Sequence, residues 1–103
     1  MVKKVYSCGL EATLAVIGGK WKSLILWNLA HQSSRFGELR RLVVGVSEKM
    51  LIQSLKELEA DELIIQEAKP VVPPHVEYSL SDAGEELRPV LLSMVQCALK
   101  HNV

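Results

Sequence analysis

No run of about 18 consecutive apolar residues occurs in the chain, which excludes a membrane-spanning helix. Cysteine is scarce too. Cys8 and Cys97 lie near opposite ends, without metal-ligand spacing, which suits free thiols in a reducing compartment better than a disulfide framework or a zinc site. The opening residues, MVKKVYSCGLEATL, lack the uninterrupted apolar segment and small-residue cleavage site of a secretory signal, so a cytoplasmic location is expected. Catalytic constellations are missing as well: His31, His75 and His101 stand isolated, and the adjacent Glu85 and Glu86 diverge on a helix. An enzyme is not expected, nor a metal or cofactor.

Net charge is also absent, twelve basic residues balancing twelve acidic ones, but the balance hides a split. Met1 to Lys56 carries +6 and Glu57 to Val103 carries −6. A basic first half suggests a surface for a polyanion; opposite halves attracting each other within one fold is the plainer reading. The length, 103 residues with 49% apolar, matches one domain able to bury a core without staples.

The stretch from Val46 to Asp61, VSEKMLIQSLKELEAD, organises the rest. At 100° per residue Leu51, Leu55 and Leu58 share one side of a helix, and Lys49, Gln53, Lys56 and Ala60 the other. That outer stripe has no carboxylate on its centre line, as a helix entering a DNA major groove requires, although a solvated face has the same pattern. Ser47 is the expected N-cap and Glu48 an acid in the first turn; Met50 in third position leaves the capping box incomplete.

Upstream, Leu10, Leu14 and Ile17 give a first helix over residues 9–17, stopped by Gly18-Gly19. In a second helix over 20–30, Trp21, Leu24, Ile25, Leu26, Trp27 and Leu29 occupy nearly the whole circumference, so it should be the centre of the core. Gly18 to Trp21, GGKW, lacks the spacing and following Ser or Thr of a phosphate loop. After a break at His31–Ser34, Phe36, Leu39 and Leu42 or Val43 mark a short helix over 35–43, with Arg35, Arg40 and Arg41 pointing away. The turn Val44-Gly45-Val46 joins it to the helix over 47–61, completing a helix-turn-helix pattern.

Beyond Asp61 the apolar period changes from 3.6 to 2. Residues 63–80 read as a β-hairpin, with Val76, Tyr78 and Leu80 alternating with Glu77 and Ser79. Pro70, Pro73 and Pro74 make its tip stiff and extended, and Lys69 and His75 are its evident donors. Ser81-Asp82 caps a final helical segment over 81–101. In it Leu87, Leu91, Met94, Val95 and Ala98 share a face and Pro89 starts or kinks the helix; the face is a candidate dimer contact, with packing on its own domain as the alternative. The expected fold is α+β and mostly helical, a winged helix-turn-helix with a two-stranded wing.

In combination, several motifs resemble the HxlR-type transcriptional regulators, bacterial winged-helix proteins related to the MarR group. They are Cys8-x-x-Glu11, Ile17 to Trp21 (IGGKW), Arg35 to Leu39 (RFGEL), Val46 to Leu51 (VSEKML), Leu55-x-x-Leu58-Glu59, and Pro73-Pro74-x-Val76 to Leu80 (VEYSL). The resemblance covers about Cys8 to Val95. It implies a homodimer built from N- and C-terminal dimerisation helices, operator binding to double-stranded DNA through Ser47 to Ala60, and a wing on the adjacent groove. The DNA-facing set is then Arg35, Arg40, Arg41, Ser47, Lys49, Gln53, Lys56, Lys69 and His75. Some members sense oxidants or electrophiles through a cysteine at the position of Cys8. A thiol before a helix N-terminus with Lys3 and Lys4 near in sequence suits that chemistry, whereas a free cysteine packed as a small apolar residue is the plainer expectation. Cys97 is expected to pack in the dimer helix.

The chain departs from the family pattern in two places. Gly9 replaces a proline common after the first cysteine, and Gln66 and His75 stand where wing arginines are frequent, so weaker or pH-dependent wing contacts are expected. The competing reading is a winged helix used for protein–protein contact, which keeps the fold and leaves the basic stripe idle. No residue identifies a small-molecule effector.

Overall fold

The computed structural model describes residues 9–101. Helices α1 (Gly9–Ile17), α2 (Lys20–His31), α3 (Phe36–Leu42) and α4 (Glu48–Ala60) precede strands β1 (Ile64–Lys69) and β2 (His75–Leu80). The short helix α5 (Asp82–Glu85) and the terminal α6 (Arg88–His101) follow. Helix α2 is the axle, touching α1, α3, α4, α6 and β2. Ile25, Leu26, Leu29 and Ala30 are buried on it, and Trp21, Leu24 and Trp27 pack half-buried against the same core. Around them close Leu39 and Val43, then Leu51, Leu55 and Leu58 from α4, then Leu63, Ile64, Leu80 and Leu91.

Of the two residues offered for the end of α3, Val43 enters the core, 1% exposed, while Leu42 remains outside at 49%. The turn that follows needs Gly45, whose φ of +89° is a conformation that side chains with a Cβ rarely adopt. It lets α4 leave at a new angle with Val46 still buried.

The strands pair antiparallel from Ile64 with Leu80 to Lys69 with His75. Leu63 ends in the core rather than in the strand, its N–H donating to the Leu58 carbonyl and its own carbonyl accepting from Ser81 N–H. Along β2, burial falls off from Leu80 to half-buried Tyr78 to exposed Val76, because the hairpin projects beyond the core it springs from. One pairing was not foreseen: Ser34, placed in a mere break, forms a two-hydrogen-bond bridge with Tyr78, at 3.0 and 2.8 Å. The sheet therefore clips to the α2–α3 connection.

The last segment is corrected from one helix to two. Ser81 caps α5, its Oγ accepting from Gly84 N–H at 3.1 Å and donating to the Glu62 carbonyl at 2.6 Å. Pro89 then has no N–H to return to residue 85, so the ladder stops and restarts as α6. Gly84 is buried where a Cβ would lie 2.1 Å from the Leu63 carbonyl oxygen, and only glycine fits there. On α6 Leu91 is buried, and Val95 and Ala98 are half-buried, while Val90, Leu92, Met94 and Leu99 are exposed. Among the described residues no helix is long and apolar enough to cross a membrane.

Candidate nucleic-acid interface

Helix α4 is fixed from three directions. Ser47 Oγ accepts the Met50 N–H at 3.1 Å, the expected N-cap. Leu51, Leu55 and Leu58 anchor the inner face. Lys22 Nζ meets Glu57 at 3.4 Å, tying the helix to α2, and Arg40 reaches Glu48 at 3.5 Å across the turn. On the face left over, Lys49, Gln53 and Lys56 are exposed and engage no other described residue. Their donors are therefore free for a ligand, on a backbone that burial holds still.

Helix α3 begins with its acid reaching back: Glu38 accepts the Arg35 N–H at 2.8 Å, half of a capping box, since a guanidinium offers no acceptor in return. Arg35, Arg40 and Arg41 are all exposed, as expected, but they divide. Arg40 is held by Glu48, whereas Arg35 and Arg41 line a polar cleft of about 540 Å³ with Ser33, His75 and Glu77.

Both wing donors already have partners. Lys69 Nζ lies 2.9 Å from Glu67, which raises its pKa. His75 Nε2 lies 2.7 Å from Glu77, and the same carboxylate accepts from Ser33 Oγ at 2.8 Å. These hydrogen bonds, His75 first and Ser33 second, hold the Glu77 carboxyl below the ordinary range. The acceptors follow from the strand's two-residue period, since residues two apart share a face and the pairs 67/69 and 75/77 each join an acid to a donor. The tip itself is apolar, with Val71 and Val72 exposed.

Two further features of the face escaped the reading. Gln66 Nε2 donates to Glu59 at 2.9 Å, joining β1 to α4. Ile52, 39% exposed, sits beside Lys49 and Lys56 on the outer face of α4; the signal, an aliphatic residue three positions from one lysine and four from the next, was there to be read. Cys8, the candidate sensor, lies outside the described residues. Cys97 is a free thiol, exposed on α6.

A buried axle helix, a helix-turn-helix with an unpartnered donor stripe, and a two-stranded wing clipped to it define the winged-helix class of transcriptional regulator. Within that class the chain belongs to the HxlR-like helix-turn-helix family, matched over residues 16–102. It is similar to the HTH-type transcriptional regulator YkvN of Bacillus subtilis (strain 168), 47% identical over 90% of this chain and 79% of that protein. It is 50% identical to YtcD of the same organism, over 88% of this chain and 72% of that one. Among solved structures, the redox regulator HypR in its oxidized form superimposes with a TM-score of 0.82 at 41% identity, covering 90% of this chain and 96% of that one. The reduced form of YodB from B. subtilis does so with a TM-score of 0.79 at 32% identity, covering 90% and 92%. The protein is a transcriptional regulator of this type.

Proposed function

We propose that the protein binds duplex DNA sequence-specifically in the cytoplasm, as a homodimer, with α4 in the major groove and no catalytic role. The observation that carries this is the contrast between the free donors on α4 and the occupied ones around it. Among the described residues Lys49, Gln53 and Lys56 have no partners and are presented from a helix packed on its other side, an arrangement that suits direct readout. Ser47, Arg35 and Arg41 flank the stripe as phosphate donors. The wing plays the lesser part, because a phosphate approaching Lys69 or His75 must compete with Glu67 or Glu77.

The test is binding to promoter fragments from the protein's genomic neighbourhood, titrated over salt. Selective binding is expected. Lys49→Ala and Lys56→Ala each flatten the slope of log K against log salt by about one unit, while Gln53→Ala costs about 1–3 kcal/mol of discrimination at one base pair. Equal affinity for random duplex overturns the proposal in favour of a protein-contact module.

The redox arm of the proposal rests on Cys8, on the resemblance, and on HypR, a redox regulator of the same fold. Mild oxidation is expected to release wild-type protein from its operator and leave Cys8→Ser bound. Release of both proteins alike removes Cys8 from the account.

A further inference from the structure

We propose that Ile52 reads the C5-methyl group of thymine on the major-groove floor, an inference that rests on the DNA-reading role of α4 given above. At the helical repeat, Ile52 lies about 60° from Lys49 and about 40° from Lys56, within the same outward face and on its wing side. It is 39% exposed, and it lines both hollows of that face. One, of about 590 Å³, is shared with Ser47, Lys49 and Gln53. The other, of about 450 Å³, opens toward the wing and includes Lys56 and Val76. The core does not need this side chain, since Leu51, Leu55 and Leu58 already seal the inner face at 2% exposure or less.

The surrounding charge suits DNA. On the wing side of Ile52 Glu48 is paired with Arg40 and Glu59 accepts from the neutral amide of Gln66, while on its outer side Lys49 and Lys56 have no partner among the described residues. An aliphatic side chain with Lys49 and Lys56 along its outer side suits a ligand that is anionic at its edges and apolar at one point. In a major groove the apolar point is the thymine methyl, the one methyl group that the four standard bases present there. Ile52 therefore marks a T·A pair in each half-site, next to whatever Gln53 reads.

Two random duplex pools, one synthesised with thymine and one with uracil, isolate that methyl group. Wild-type protein is expected to enrich a sequence from the thymine pool. Replacing thymine by uracil position by position in the enriched duplex should weaken binding about fourfold at one position per half-site, the equivalent of one buried methyl group. In Ile52→Ala, checked for native circular dichroism, the thymine and uracil duplexes should bind alike. Ile52→Val and Lys49→Ala should each keep the difference. Enrichment with no thymine–uracil difference, or with a difference that survives in Ile52→Ala, overturns the assignment while leaving α4 a DNA reader. No enrichment from either pool overturns both.

Discussion

Glu77 ties together two parts of the chain that lie far apart in sequence. Its carboxylate holds His75 on its own strand and Ser33 in the α2–α3 connection, 44 positions away. Because those hydrogen bonds lower its pKa, folding is stabilised above the ordinary glutamate value of 4.5, and that contribution is lost as pH falls through the lower folded-state value. Glu85, held below its ordinary range by Arg88, acts in the same window. The thermal midpoint of wild-type protein should therefore fall as pH drops below that ordinary value, and the fall should be shallower in Glu77→Gln; parallel profiles would show that the bond adds nothing to folding. Lys49, Gln53 and Lys56 were legible as a stripe because helical spacing alone places them together. The partners of Lys69 and His75 follow instead from the strand's two-residue period, which pairs them with Glu67 and Glu77.

At the scale of elements, the apolar spacing that made α4 legible also makes it sensitive. Leu51→Ala should lower the unfolding free energy by about 2–5 kcal/mol, measured by chemical denaturation, since the residue is wholly enclosed in the core. Gly84→Ala should lower it by about 1–3 kcal/mol through overpacking against the Leu63 carbonyl; an unchanged midpoint would mean that α5 moves aside freely. The break in the final segment was half legible. Pro89 announced a start or a kink, but that Ser81 to Glu85 would close a turn of their own depended on the Glu62 carbonyl and the buried Gly84, contacts between sequence-distant groups. The Ser34–Tyr78 bridge was illegible for the same reason: one residue added to a sheet edge has no period.

For the whole molecule, the fold leaves the apolar side chains of Leu92, Met94 and Leu99 in solvent along α6, and that of Leu14 on α1. Such a surface on terminal helices fits the proposed homodimer. Met94→Glu is expected to move the molecular mass in light scattering from dimer toward monomer and to lower operator affinity in parallel; a monomeric wild type would refute the dimer. The opposite charges of the two halves of the sequence do not sort into two lobes. Lys22 of the basic half pairs with Glu57 of the acidic half, and Arg40 with Glu48, which leaves Arg35, Arg41, Lys49 and Lys56 as cations with no ion pair among the described residues.

β2 is clipped to the connection that leaves α2, and α4 packs on α2 through its leucine face and the Lys22–Glu57 pair, so the wing and α4 share one support. In the proposed homodimer each protomer would then turn as one body, and a signal arriving at α1 and α6 would be expected to change the distance and tilt between the two copies of α4, mis-spacing them against the helical pitch of DNA.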